Sequence, residues 1–123
     1  PNVLVVDDSE SFRAYMLSLL SVLNINIFSV SSVDEAWKIL EKEEINCAIV
    51  DLELPEISGQ DFIAQLKNKN KYADLPILII TGKKIETVEL LAKDLEVLGY
   101  LLKPFKEELL KDVFDKLFQV NGE

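Results

Sequence analysis

Residues 3–8 read VLVVDD, so four consecutive apolar side chains run directly into two adjacent carboxylates. An apolar segment without alternation is typical of a strand buried on both faces, as in a parallel sheet covered by helices. Because an unpaired carboxylate is costly to bury, Asp7 and Asp8 should lie where this strand reaches the surface, next to a cation. The stretch therefore predicts a parallel sheet with an acidic site at one end of its strands.

Further apolar segments follow along the chain, separated by helical patterns. The strand-like segments are residues 3–6, 25–30, 47–50, 76–80 and 99–102. Between and after them, apolar residues recur at steps of three and four positions, which indicates amphipathic helices. The five apolar stripes are Phe12, Met16, Leu19, Leu20 and Leu23; Val33, Ala36, Trp37 and Leu40; Phe62, Ile63 and Leu66; Val88, Leu91, Ala92 and Leu95; and Leu110, Val113, Phe114 and Leu117. Ser9 or Asp8 can cap the first helix, and Ser32 with Glu35 resembles a capping box before the second.

This alternation predicts one α/β domain over residues 1–123, with helices on both faces of a mostly parallel sheet. Right-handed crossovers restrict the topology. For five strands, the leading candidate is the flavodoxin-like, doubly wound (βα)5 fold with strand order 2-1-3-4-5. The chain begins with Pro1 rather than Met, which leaves open that it is a fragment of a longer protein.

The composition narrows the functional classes. A net charge of -9, from 22 acidic and 13 basic residues, argues against direct nucleic-acid binding and is compatible with Mg²⁺ or a basic partner. Cys47 is the only cysteine, which excludes an internal disulfide and indicates a reducing, cytoplasmic setting. The absence of histidine excludes the usual zinc sites, Ser-His or Cys-His catalysis, and a histidine phosphoryl donor within this chain. No apolar run approaches the ~20 residues that span a bilayer, so no membrane association is expected.

Polar residues follow four of the predicted strands. Asp7 and Asp8 end the first strand, Asp51 the third, Thr81 the fourth and Lys103 the fifth. In a 2-1-3-4-5 sheet, ligands bind beyond the carboxyl ends of the strands, between strands 1 and 3. Taken singly, these residues also fit a helix cap, a turn or a solvated charge, and only their convergence argues for a site.

The charges at this edge indicate a metal. Each pair of neighbouring carboxylates costs about 1–4 kcal/mol at ~4 Å, and one lysine cannot balance three of them. A hard divalent cation can, and Mg²⁺ is the leading candidate. An Asp is a competent nucleophile for phosphoryl transfer, and the metal, Thr81 and Lys103 would stabilise the transferring oxygens.

The sequence resembles the receiver domain of bacterial response regulators over essentially the whole chain. The matching segments are VLVVDDSES, AIVDLELPEISG, ILIITG and GYLLKPF. The resemblance implies a signalling switch of a two-component phosphorelay rather than a metabolic enzyme. It also implies that the phosphoryl group comes from a histidine kinase or a histidine phosphotransfer domain, with Mg²⁺ required, and that the domain supports its own transfer and slow dephosphorylation.

The resemblance assigns the metal site residue by residue. Asp51 matches the phosphoacceptor, and Asp8 matches a direct Mg²⁺ ligand. Asp7 matches a carboxylate that acts through a metal-bound water. The backbone carbonyl of Glu53 matches the remaining protein ligand.

The resemblance also implies a conformational switch. Thr81 matches the hydroxyl residue that follows the phosphoryl group, Lys103 the lysine that pairs with it, and Tyr100 the aromatic switch residue. The face formed by the fourth helix, fifth strand and fifth helix would then contact an output domain or a second copy. Val97 and Leu98, at the edge of the fifth strand, either pack in the core or extend this partner surface.

Two alternatives stay open. One is a receiver-like scaffold that binds partners without being phosphorylated, although this chain keeps the full set of acidic residues and the lysine. The other is a haloacid-dehalogenase-like phosphatase. In that family the nucleophile ends strand 1 and a second Asp follows two residues later, whereas Ser9 and Glu10 occupy those positions here.

Overall fold

Five parallel strands form one sheet in the order 2-1-3-4-5, which confirms the predicted topology. The computed structural model describes residues 1–118, so the last five residues of the predicted domain lie outside the described residues. The strands are β1 (Asn2–Val6), β2 (Asn26–Val30), β3 (Cys47–Val50), β4 (Ile77–Thr81) and β5 (Gly99–Leu102). The helices are α1 (Glu10–Ser21), α2 (Val33–Lys42), α3 (Gly59–Lys67), α4 (Ile85–Asp94) and α5 (Glu107–Phe118).

The three central strands are buried on both faces of the sheet. Successive residues of β1 belong to different core clusters, because side chains alternate along a strand. Val3 and Val5 pack in the cluster that contains the buried residues of α1 and α5. Leu4 and Val6 pack in the cluster that contains those of α2, α3 and α4. The unbroken apolar run VLVV is therefore explained by two cores that share one strand.

Serine side chains start the first three helices. The hydroxyl oxygen of Ser9 accepts a hydrogen bond from the backbone N–H of Phe12, so Ser9 rather than Asp8 is the N-cap of α1. Ser32 accepts from the N–H of Glu35 in the same way. The capping box is only half formed, because the Glu35 carboxylate accepts from the N–H and hydroxyl of Ser31 instead of from Ser32.

The ends of the elements differ from the predicted patterns by one or two residues. Leu23 and Leu95 belong to the predicted stripes but lie just beyond α1 and α4. β4 begins after Pro76, which has no N–H to donate, although the Pro76 carbonyl accepts a bond from the N–H of Ala48. β4 also runs one residue further than predicted and ends at Thr81, which places this side chain at the rim.

Cys47 is fully buried in β3. Burial raises the pKa of its thiol to about 12, so the side chain is a small core residue rather than a reactive group. Within residues 1–118, no helix is both long and apolar enough to cross a membrane.

Two leucines on α1 test this account of the core. Leu20 is fully buried, whereas Leu17 on the same helix is 53% exposed. We expect Leu20→Ala to lower the free energy of unfolding by about 2–5 kcal/mol, because it leaves a cavity. The matched control, Leu17→Ala, should change it by no more than about 0.5 kcal/mol. Urea denaturation followed by circular dichroism measures both, and equal losses would contradict the burial assignment.

Candidate functional site

Backbone hydrogen bonds continue past the ends of the strands and fix the residues at the rim of the sheet. The N–H of Asp7 donates to the carbonyl of Val30 at 3.1 Å, and the N–H of Asp51 donates to that of Val6 at 3.0 Å. On the other side, the N–H of Lys103 donates to the carbonyl of Thr81 at 2.8 Å. The sheet thus holds the side chains that follow β1, β3 and β5 against one another.

The Lys103 ammonium lies between two carboxylates. Its Nζ donates to Asp7 Oδ2 at 2.7 Å and to Asp51 Oδ2 at 3.2 Å. Asp7 is 1% exposed and Asp51 is 6% exposed, whereas Asp8 lies at the surface. The cation expected beside the acidic doublet is therefore present, but it pairs with Asp7 and with Asp51 from the neighbouring strand.

Backbone N–H groups orient the other oxygen of each buried carboxylate. Ser9 donates to Asp7 Oδ1 at 2.9 Å, and Glu53 donates to Asp51 Oδ1 at 3.1 Å. The second bond also places the Glu53 backbone beside Asp51, while the Glu53 side chain is exposed. Neither buried carboxylate is free to rotate without breaking a hydrogen bond.

Burial and pairing act against each other in the titration of these groups. Burial raises the pKa of Asp7, and the hydrogen bonds from Lys103 and Ser9 oppose this rise. Burial alone would lower the pKa of Lys103, but its hydrogen bond to Asp7 and the negative charge of Asp51 raise it overall. Lys103 therefore remains a cation at neutral pH.

The acidic residues fit a hard divalent cation. Carboxylate oxygens of Asp7, Asp8 and Asp51 lie within 4.8 Å of one another. Three carboxylates beside one ammonium leave two negative charges, which a divalent ion would neutralise. Carboxylate oxygens are the type of ligand that Mg²⁺ prefers.

Thr81 and Tyr100 occupy different positions relative to this cluster. Thr81 is fully buried at the end of β4, and its hydroxyl oxygen accepts a bond from the N–H of Lys83 at 3.4 Å. Tyr100 pairs with Ile79, two residues before Thr81, and its half-buried ring packs against the core cluster of α2, α3 and α4. Partial desolvation and the Glu89 carboxylate on α4 raise the pKa of Tyr100.

Two residues shape the site that sequence patterns did not identify. A Cβ atom on Gly59 would overlap the backbone oxygen of Asp51, so only glycine fits where α3 starts against β3. Arg13 reaches back from α1, and its Nη1 donates to the Asp7 carbonyl at 2.6 Å. Sequence patterns give no signal for either contact, because each forms only when α1 or α3 packs against the sheet.

The chain is similar in sequence and in fold to known proteins. A family model described as "Response regulator receiver domain" matches residues 3–115. A chemotaxis protein CheY homolog of Campylobacter jejuni is 32% identical over 114 residues, which cover 89% of this chain and 86% of that protein. The sensor histidine kinase CheAY of Helicobacter pylori is 28% identical over 123 residues, covering 98% of this chain and 15% of that protein. The crystal structure of a response regulator receiver protein from Pseudomonas putida is similar with a TM-score of 0.87 and 28% identity, covering 94% and 96% of the two chains.

The close approach of α3 to Asp51 generates one prediction. Replacing glycine by alanine in a helix ordinarily stabilises it by about 0.5–1 kcal/mol. Gly59→Ala should instead destabilise the protein by about 1–3 kcal/mol, because the Asp51 backbone must move away from the new methyl group. In the matched control Gly82→Ala, the added Cβ meets no heavy atom of the described residues within 4 Å. Urea unfolding measures the free energy of unfolding of both variants. A Gly59→Ala variant that is more stable than wild type would refute the close packing of α3 against Asp51.

The buried carboxylate of Asp7 generates a second prediction. Because its pKa is raised on folding, ionising Asp7 costs stability, and this cost is absent at low pH and grows as the pH rises through the folded-state pKa. The stability of Asp7→Asn relative to wild type should therefore rise as the pH increases from about 4, the ordinary range of an aspartate, through the raised pKa of Asp7 in the folded state. Urea unfolding in the presence of a chelator measures this difference across the pH range.

The same measurement in a Lys103→Met background serves as a control. The rise should be larger there, because the ammonium that lowers the pKa of Asp7 is gone. A relative stability that stays constant with pH in both backgrounds would contradict the assigned burial of Asp7.

Proposed function

The chain belongs to the response regulator receiver domain family, and on this premise we propose that it is the phosphoacceptor switch of a two-component phosphorelay. We propose residues 1–123 as one such domain, with a signalling role rather than that of a metabolic enzyme. The observation that carries the proposal is the Asp51 carboxylate, held at the carboxyl edge of the sheet beside Asp7, Asp8 and Lys103.

Asp51 is proposed as the nucleophile. An oxygen of its carboxylate attacks the phosphorus of the donor, so that an O–P bond forms and the bond between phosphorus and the donor's histidine nitrogen breaks. The Glu53 N–H fixes one carboxylate oxygen and Lys103 contacts the other, which limits the orientations available to the attacking group. The Lys103 ammonium and the Thr81 hydroxyl then stabilise the charge on the transferring oxygens.

The proposed Mg²⁺ ligands are Asp8, Asp51 and the backbone carbonyl of Glu53, with Asp7 acting through a water molecule. Support comes from the two uncompensated negative charges at this edge and from the oxygen-only donors of the three aspartates. When bound, the ion supplies positive charge opposite the phosphoryl oxygens.

The proposed switch connects Thr81 to Tyr100. An aspartyl phosphate adds negative charge and acceptor oxygens, and the Thr81 hydroxyl at the end of β4 would turn toward them. This movement would make room on the inner side of the neighbouring β5, where the Tyr100 ring could enter. The face formed by α4, β5 and α5 would then change its shape.

The same face is proposed to bind an output domain or a second copy of the chain. Leu90 on α4 is 60% exposed and Leu98 before β5 is 48% exposed, so both are available to a partner. Val97 is half-buried and packs against the core, so of the two edge residues only Leu98 extends the surface.

The proposed phosphodonor is a histidine kinase or a histidine phosphotransfer domain, because this chain contains no histidine. The matching segment in a sensor histidine kinase supports a place in such a relay. We further propose a cytoplasmic location, no direct binding of nucleic acid by this domain, and no association with a membrane. The net charge of -9 supports the proposal on nucleic acid.

Phosphorylation of the isolated chain tests the proposed function. Incubation with acetyl phosphate and Mg²⁺ should add one phosphoryl group, seen as a single mass increase of the intact protein. Asp51→Asn should remain unmodified, whereas Asp34→Asn, which alters an exposed aspartate on α2, should behave like wild type. A chelator should prevent the modification. Unmodified wild type, or a modified Asp51→Asn variant, would refute the assignment of Asp51.

The phosphorylated sample also reports on the switch. Amide chemical shifts should change at Tyr100 and along α4 on phosphorylation, and Thr81→Ala should suppress these distant changes without preventing the mass increase. If the shift changes are equal with and without the Thr81 hydroxyl, Thr81 does not transmit the signal, and the assignment of Asp51 as phosphoacceptor still stands.

A further inference from the structure

The Lys103 ammonium has a third neighbour besides the two carboxylates. Its Nζ lies 4.1 Å from the ring centroid of Phe12 on α1. Among residues 1–118, the other two cation–π contacts, of Lys69 with Trp37 and of Lys71 with Tyr72, measure 5.5 Å and 5.6 Å. An ammonium carries three N–H donors, and here two carboxylates and one aromatic face surround it.

The Phe12 ring is held in place by neighbouring aromatic residues. Its centroid lies 6.3 Å from that of Tyr15 and 6.5 Å from that of Phe105, which follows Lys103 by two residues. The Tyr15 hydroxyl donates to Glu107 Oε2 at 3.3 Å, which joins α1 to the start of α5. The Phe12 ring is therefore held between α1 and the segment that joins Lys103 to α5.

An open groove lies on the solvent side of this arrangement. It has a volume of about 450 Å³ and is lined by Phe12, Tyr15, Lys103, Pro104 and Phe105. The Lys103 side chain is 25% exposed, so it has room to turn outward into this groove. A lysine side chain gains rotamer freedom by doing so, and the ring contact adds to the two ion pairs that oppose that gain.

We propose that Phe12 is a positioning residue whose ring face holds the Lys103 ammonium over Asp7 and Asp51 and prevents it from turning into the groove. The consequence for phosphoryl transfer rests on the proposed function, whereas the position of Lys103 does not. Phe12 itself touches neither the acidic residues nor the transferring group in this account. It acts on them through the lysine.

The proposal predicts opposite effects on two properties of the site. Phosphoryl transfer needs the ammonium beside Asp51, so loss of the ring contact should slow it. Binding of a divalent cation is opposed by the same ammonium, so loss of the contact should leave cation affinity unchanged or increase it. A general distortion of the site would weaken both.

A fluorinated phenylalanine series at position 12 tests the ring face while almost preserving its shape. Each added fluorine reduces the negative potential of the ring face. We expect the rate of phosphorylation by acetyl phosphate to fall stepwise, by about fivefold over the series, in line with the strength of a cation–π contact. The Mg²⁺ dissociation constant, measured by calorimetry, should stay the same or decrease. A rate that does not change along the series, or a parallel loss of rate and affinity, would overturn the proposal.

Two control variants complete the design. Phe28→Leu makes the same change as Phe12→Leu at a half-buried ring on β2 that packs in the other core cluster, and only Phe12→Leu should slow transfer. In a Lys103→Met background, fluorination at position 12 should no longer alter the Mg²⁺ dissociation constant. A fluorination effect that persists without the ammonium would also overturn the proposal.

A direct probe keeps this inference separate from the proposed function. The side-chain protons of Lys103 lie near an aromatic ring and should show a ring-current shift that decreases along the fluorinated series as the ammonium moves away. If no variant is phosphorylated, the proposed function fails, and the ring-current shift still decides the role of Phe12. A shift that stays constant along the series would refute it.

Discussion

The structure depends on the pairing of one lysine with two buried carboxylates from different strands. Asp7 and Asp51 are close enough to share the Lys103 ammonium and are almost completely removed from water. Burial of two like charges is unfavourable unless each finds a partner and further hydrogen bonds. Both conditions are met here, because backbone N–H groups of Ser9 and Glu53 bind the remaining oxygens. The compensation is incomplete in charge, and that deficit makes the site suitable for a cation.

The strand order explains why these groups meet. β1 lies between β2 and β3, and β3 lies between β1 and β4, so the residues that follow β1 and β3 are neighbours at the carboxyl edge. β5 is at the other end of the sheet, and Lys103 must cross β4 to reach them. Its side chain is long enough to reach both Asp7 and Asp51. Arg13 on α1 binds the Asp7 carbonyl from one face of the sheet, and Gly59 lets α3 approach the Asp51 backbone from the other.

The sequence was sufficient for the elements, the strand order and the convergence of charged residues, because each depends on local periodicity and on which residue follows a strand. It was insufficient for contacts that exist only after the elements pack. The fit of Gly59 against Asp51 requires the approach of α3 to β3, and the contact of Phe12 with Lys103 joins residues on α1 and after β5. In the Phe12, Met16 and Leu20 pattern, Phe12 looked like one more core residue. The Ser31 contact of Glu35 was missed for a similar reason, since a capping box pattern does not specify which N–H the carboxylate selects.

A backbone hydrogen bond between the ends of β4 and β5 gives a physical reason for the proposed coupling of the site to the face formed by α4, β5 and α5. The N–H of Lys103 donates to the carbonyl of Thr81, so the lysine that pairs with Asp51 and the threonine at the end of β4 are attached to one another through their main chains. In the proposed switch, added negative charge on Asp51 would attract the ammonium and accept a hydrogen bond from the Thr81 hydroxyl. Tyr100 lies on the same strand as the residues leading to Lys103 and pairs with β4 two residues before Thr81. In the proposed switch, a rearrangement of these two strand ends would reach the half-buried Tyr100 ring through only a few covalent and hydrogen bonds.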